Sequence, residues 1–224
     1  FSGCQALQSI EIPGLVESVG GSAFLNTQIL TVTLNCDAFL SSDRPSSWDS
    51  KQRKYVYSSL KVVFGEQVTS YVIGEGVTRI GKYAFSECSN LESVTIPKSL
   101  KSIGENAFKD CKGLKKVIIP DIAAWCAVTY DKFAGEFNQS NPLFNAHHLY
   151  SDEETEVTDL VIPEGVTKIG ELAFANCDGI TSVTFPKGLE IIGEFAFLYC
   201  EGITAVTIPE GVIDINSAFW GCSN

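Results

Sequence analysis

His147 and His148 are adjacent and are the only imidazoles in the chain, and the run Asp152-Glu153-Glu154-Thr155-Glu156 follows closely. Imidazole beside carboxylate is the chemistry of zinc binding or general acid–base catalysis. Either requires convergent ligands, or a nucleophile within reach of its base. Successive residues on an extended segment point to opposite faces, so this pair is not aimed at one ion. The reading is a loop with one ring packed. The acidic run lacks the spaced Asp/Asn and Gly of a calcium loop and reads as a solvated turn. Gly20-Gly21 has neither the Lys-Ser/Thr of a phosphate loop nor the G-x-G-x-x-G spacing. No catalytic residue, metal site or cofactor is expected.

Cysteine is the other reactive type. Six of the eight (Cys4, Cys88, Cys111, Cys177, Cys200, Cys222) recur at one position of a regular spacing, and Cys36 and Cys126 fall outside it. Zinc would need short C-x₂₋₄-C spacing, which is absent. Disulfides need Cα atoms about 4.4–6.8 Å apart with converging side chains, whereas parallel side chains in a column do not converge. The expectation is a column of buried thiols acting as small hydrophobes.

That column implies repeated elements. "IPEGVTKIGELAFANC" at Ile162 to Cys177 nearly recurs after 23 residues as "FPKGLEIIGEFAFLYC" at Phe185 to Cys200. Seven of the 14 phenylalanines occupy one slot: Phe1, Phe24, Phe85, Phe108, Phe174, Phe197 and Phe219. A period of this length predicts a leucine-rich-repeat-like α/β solenoid, right-handed. Each unit, such as Leu91 to Pro97, opens with alternating apolar residues that predict a short strand ended by proline. Leu100 to Ile103 predicts a second extended piece, closed at Gly104 by a turn with positive φ. Glu105 to Cys111 predicts about two helical turns, too short to stand without neighbours.

Regular repeats cover 1–32, 71–116 and 160–224, within one solenoid over 1–224. Irregular insertions span 33–70 and 117–159. In the first insertion, Leu40 to Lys54 reads as a polar loop. "LKVVFGEQVTSYVIG" then reads as two strands joined near Gly65-Glu66. In the second, "DIAAWCAVTY" reads as a helical turn and Tyr150 to Val161 as a hairpin. The chain opens and closes in mid-motif, which leads us to expect a piece of a longer array. Sixteen basic against 27 acidic residues give a net charge of −11, which opposes nucleic-acid binding and polybasic membrane contact. No stretch approaches the roughly 20 apolar residues of a membrane span.

The unit V-T-I-P-x-G-V-x-x-I-G-x-x-A-F-x-x-C, as at Val94 to Cys111 and Leu160 to Cys177, resembles the BspA-like (Treponema-type) leucine-rich repeats of bacterial surface proteins. The segment "NPLFNAHHLYSDEETEVTDLVIPEGVTKIG" is similar to linking segments of that family, particularly in gut Bacteroidetes. The resemblance implies a cell-surface or secreted protein that binds host matrix proteins, glycans or other cells without catalysis. It supplies no residue-level motif for the ligand. The residues themselves offer an outward strand face. Ser93, Thr95, Lys116, Ile118, Asp159, Val161, Ser182, Thr184, Ala205 and Thr207 should line it, and Ser93, Thr95, Ser182, Thr184 and Thr207 are the candidate ligand contacts. Strand propensity alone also enriches threonine there. Trp48, Trp125 and Trp220 are candidate aromatic anchors, with Trp125 the one expected to be buried. From other classes, a structural spacer or a hydrolase using His147 would fit the same chain.

Overall fold

The computed structural model describes residues 1–131 and 139–222. The chain begins with β1 (Ser9–Ile12), β2 (Thr31–Leu34), α1 (Asp37–Ser41), β3 (Ser46–Asp49), β4 (Lys54–Tyr57) and α2 (Leu60–Phe64). Next come β5 (Ser70–Ile73), β6 (Arg79–Ile80), β7 (Ser93–Thr95), β8 (Ser102–Ile103), β9 (Lys116–Ile118), α3 (Ile122–Cys126) and β10 (Thr129–Tyr130). After α4 (Leu143–Ala146) follow β11 (Leu149–Tyr150), β12 (Asp159–Val161), β13 (Lys168–Ile169), β14 (Ser182–Thr184) and β15 (Ile191–Ile192).

Successive coils stack in parallel. The first strand of each coil builds a six-stranded sheet, β1-β2-β5-β7-β9-β11, and a separate pair, β12-β14. The second strand builds β6-β8-β10 and β13-β15. Alternation decides what is buried: Val94 faces inward between half-buried Ser93 and Thr95. Register then makes an inner file of Ile10, Val32, Tyr71, Val94, Val117 and Leu149. Aromatic rings form a second file. Phe85 stacks on Phe108 at 4.8 Å, Phe174 on Phe197 at 5.3 Å and Phe197 on Phe219 at 5.0 Å.

The segment between the second strand and the cysteine departs from expectation. Glu105 to Cys111 is not helical but a run of turns, with Asn106 (φ 52) and Asp110 (φ 58) in the left-handed region. Tyr83 and Glu87, Leu172 and Asn176, and Phe195 and Tyr199 repeat the pair. The hydrogen bonds give the reason. Ala84, Ser86 and Cys88 donate N–H locally, to the carbonyls of Gly81, Tyr83 and Phe85. The intervening Tyr83, Phe85 and Glu87 donate to Glu105, Ala107 and Lys109 of the next coil. Leu172, Phe174 and Asn176 do the same to Glu194, Ala196 and Leu198. A helix would turn the N–H groups beyond its first turn onto its own carbonyls. This run spends alternate ones on its neighbour and makes a third inter-coil ladder.

Gly104 also differs from expectation, because its φ is not positive. A Cβ there would sit 2.5 Å from the Lys82 amide nitrogen, and one at Gly193 would sit 2.6 Å from that of Glu171. Glycine is needed for close coil-to-coil approach.

Both insertions are modified coils. Leu60 to Phe64 is a helix, not the expected strand. Its buried Leu60, Val63 and Phe64 have helical spacing, and Gly65 (φ 100) ends it. Phe64 stacks on Phe24 at 5.0 Å and meets Tyr71 edge-on at 6.2 Å, filling the aromatic file where the repeat lapses. Leu40 to Lys54 is not simply a loop, since β3 and β4 pair as an antiparallel hairpin. The helical turn at α3 is present, with the Asp121 side chain accepting from Ala124 N–H at 2.8 Å. Where the second insertion replaces a regular coil, side chains substitute for two of the three carbonyls. Phe108 N–H donates to Gln139 O, Asn106 N–H to Ser140 Oγ and Asp110 N–H to Gln139 Oε1. Tyr150 and Glu156 bridge antiparallel around the acidic turn, but the expected hairpin goes no further. β11 pairs with β9 and β12 with β14.

Removing one ring tests the aromatic file. Phe108 is fully buried, and Phe108→Ala should cost about 3–5 kcal/mol in urea unfolding. A loss under about 1 kcal/mol would mean the file contributes little.

Candidate functional site

Register aligns two outward rows on the six-stranded sheet. One runs Ser9, Thr31, Ser70, Ser93 and Lys116; the other runs Glu11, Thr33, Val72, Thr95, Ile118 and Tyr150. The expected face therefore extends to coils before Ser93. The repeat is lost across 33–70, yet Thr31-Val-Thr-Leu34 and Ser70-Tyr-Val-Ile73 keep the alternation that marks this face. Ser93 Oγ bonds Ser70 Oγ at 2.9 Å, so these hydroxyls are partly engaged by each other. Ser93 and Thr95 are half-buried, and Ile118 is only 3% exposed and offers no contact surface. Lys116 Nζ lies 4.7 Å over the Tyr150 ring and donates to Glu153 O, closing the row.

The remaining candidates lie elsewhere. Ser182 and Thr184 belong to the separate pair β12-β14, and Ser182 Oγ donates to Asp159 Oδ1 at 2.6 Å. Thr184 is exposed. Thr207 is exposed too but lies outside any strand. The structure thus brings Ser93 and Thr95 together, and Ser182 and Thr184 together, on two sheets.

His147 is not extended as expected. It caps α4 with left-handed φ 61. Its Nδ1 lies 3.0 Å from Asp178 Oδ2, an ion-pair approach without hydrogen-bond alignment. His148 Nδ1 meets a different carboxylate, Glu156 Oε1, at 2.6 Å. The rings therefore face separate partners. Among the described residues no three His, Cys, Asp or Glu side chains group as metal ligands. The acidic run is a turn in which Asp152 Oδ1 accepts the N–H groups of Glu154 (2.9 Å) and Thr155 (2.8 Å). Those bonds hold its carboxyl below the usual range.

Trp125 is buried, and its Nε1 donates to Ala173 O at 2.8 Å. Trp48 and Trp220 are 56% and 52% exposed. A cleft of about 740 Å³ opens where α3 lies between the two second-face sheets and β10 and β13 do not pair with each other.

All eight cysteines are free thiols. Cys88, Cys111, Cys177 and Cys200 are buried, as are Cys36 and Cys126, while Cys222 is half-buried and Cys4 exposed. Three of the repeat thiols donate to the preceding coil: Cys111 Sγ to Phe85 O at 3.1 Å, Cys200 Sγ to Phe174 O at 3.0 Å and Cys222 Sγ to Phe197 O at 3.1 Å. Burial pushes Cys88 and Cys126 up to about 12 and raises Cys111, Cys177 and Cys200 as well. These are structural thiols that resist becoming nucleophiles.

Parallel ladders, an aromatic file and this spacing define a repeat solenoid of the leucine-rich class. The chain belongs to the BspA type leucine rich repeat family, whose model matches residues 1–42, 62–128 and 148–224 in six copies. A search of curated proteins finds no significant match. Among solved structures, the chain is similar to the Treponema pallidum leucine-rich repeat protein (20% identity, 88% of this chain and 68% of that one, TM-score 0.35). It is also similar to a leucine rich cell surface protein of Faecalibacterium prausnitzii (16% identity, 96% and 73%, TM-score 0.37). A third is a leucine-rich repeat protein of Bacteroides ovatus (18% identity, 96% and 76%, TM-score 0.27).

The raised thiols fix a pH dependence. Folded pKa values lie above that of a free thiol, about 8.5, so stability is fully present below that pH. Above it the unfolded chain ionises first and stability falls, by up to about 1.4 kcal/mol per pH unit for each such thiol. Burial also raises Tyr71 and Tyr130, which act in the same direction. Urea midpoints should be flat from pH 7 to about 8 and fall steeply by about pH 10. A flat profile to pH 10 would contradict the buried thiol column.

Proposed function

We propose that residues 1–224 work as one non-enzymatic binding segment, displayed on a cell surface or secreted, that engages a host matrix protein, a glycan or another cell through its outward strand face. The observation that carries this reading is the pair of in-register rows of small hydroxyl and aliphatic side chains, from Ser9 and Glu11 to Lys116 and Tyr150. Localisation rests on the family resemblance.

Magnitude limits the mode of binding. Six strands at about 4.8 Å spacing span roughly 24 Å, and three residues of width give roughly 240 Å². A stable interface buries about 800 Å² per partner. This face alone supports weak contact, so useful binding needs the β12-β14 face as well, or many copies acting together. Ser93, Thr95, Ser182, Thr184 and Thr207 are the proposed contacts. A spacer that projects another domain is the second reading, favoured by the three inter-coil ladders, which stiffen the stack.

The purified chain, arrayed on beads, should bind immobilised matrix proteins or cells saturably. Thr95→Lys, Thr184→Lys and Thr207→Lys together should weaken that binding about tenfold or more by placing unpartnered charge in the contact. Absence of binding to any matrix, cell or glycan surface would leave the spacer.

A further inference from the structure

The β3-β4 hairpin leaves the solenoid from the first insertion, and its base is clamped. Ser58 N–H donates to Pro45 O at 3.0 Å. Tyr57 stacks on Tyr83 at 4.5 Å, and Lys109 Nζ, from the following coil, donates to Tyr57 Oη at 3.3 Å. The entry strand is fixed as well: Arg79 holds Asp43 at 2.8 Å and also Asp131, within the second insertion, at 3.1 Å. The tip is ordered by Asp49 Oδ1, which accepts the N–H groups of Lys51 (2.8 Å) and Gln52 (3.1 Å), and by Arg53 at φ 53.

This clamped finger presents what a folded chain usually hides. Trp48 and Tyr55 are cross-strand partners with ring centroids 5.2 Å apart, edge to face. Both stay more than half exposed, at 56% and 55%. Residues 49–55 carry Lys51, Arg53 and Lys54 against Asp49 alone, in a chain of net charge −11. Lys51 and Arg53 are exposed, and among the described residues neither pairs with a carboxylate.

We infer that this hairpin is a binding finger for an acidic sugar, a pyranose ring that carries a carboxylate, such as a sialate or a uronate. The ring's polarised C–H face packs on the electron-rich face of Trp48 or Tyr55. The carboxylate takes the two parallel N–H donors of a guanidinium, the geometry that arginine supplies and lysine does not. Arg53 closes the turn two residues before Tyr55, a separation of at most about 7 Å along the chain, the scale of one sugar residue. Other anionic partners fit less well. A dense polyanion meets the repulsion of the whole acidic chain. A lipid surface finds no aliphatic residue between Asp49 and Lys54 to enter it. An acidic peptide offers the guanidinium a carboxylate but no pyranose C–H face for Trp48 and Tyr55. The finger is separate from the outward strand face, so it stands or falls independently of the contacts proposed there.

NMR titration of the whole chain with sialyllactose, digalacturonate and lactose, read at the Trp48 indole N–H (assigned with Trp48→Phe), tests the inference. At least one acidic sugar should shift that signal saturably, with lactose about tenfold weaker, and the two acidic arms separate sialate from uronate. Arg53→Asn tolerates the left-handed backbone and should weaken the acidic sugar about tenfold while leaving lactose unchanged. Thr95→Lys should change none of these. Equal affinity for lactose, an unaffected Arg53→Asn, or no shift with any sugar would overturn the inference. So would a shift only with phosphatidylserine vesicles or polyglutamate.

Discussion

No coil of this chain closes a core of its own. One turn of about 23 residues has an apolar edge and a set of backbone donors that only the next turn can satisfy, and stacking meets both needs together. The aromatic file shows the apolar half of the constraint, with Phe85 on Phe108 and Phe174 on Phe197. In coils such as 71–93 and 160–182 the polar half is met three times, by both strands and by the left-handed turn segment. Non-glycine residues with φ near +55° cost roughly 1–3 kcal/mol each where nothing compensates. Here each turn returns inter-coil hydrogen bonds, so the strain is offset by the stack.

The same constraint explains the insertions. An interrupted coil must still cover its neighbours, so Phe64 enters the aromatic file, and the side chains of Gln139 and Ser140 accept the Asp110 and Asn106 N–H groups that a regular coil would have taken with backbone carbonyls. Trp125 fills space beneath Ala173 and satisfies its carbonyl. Where substitution is imperfect the stack opens, as in the cleft between β10 and β13. Where chain is left over it projects, as in the β3-β4 hairpin. Individual character therefore sits at places where periodicity was locally given up.

Much of this was legible in the residues, for identifiable reasons. Period-2 alternation gave the strands, and the recurrence of Phe and Cys gave the inner files. The turn segment misled because Ala107, Phe108 and Cys111 have spacing that a short helix would also bury. Only hydrogen bonding across coils, which one unit does not reveal, distinguishes the two. Leu60 to Phe64 misled in the opposite direction, since a β-branched run hides a helical 60/63/64 face. The hairpin was hidden by its polar tip, although Trp48 and Tyr55 flank it as strand pairs do. The outward strand face was legible as such, but its division into two sheets was not, because the break falls at the second insertion.

Inter-coil satisfaction of backbone groups is the central physical claim, and native-state hydrogen exchange resolved to single amides measures it most directly. Tyr83, Phe85 and Glu87, with Leu172, Phe174 and Asn176, should exchange only through unfolding of the stack, as slowly as Val94 and Val117 in the sheet. Exchange of these six at the rate of exposed turn amides such as Ser50 would contradict the account.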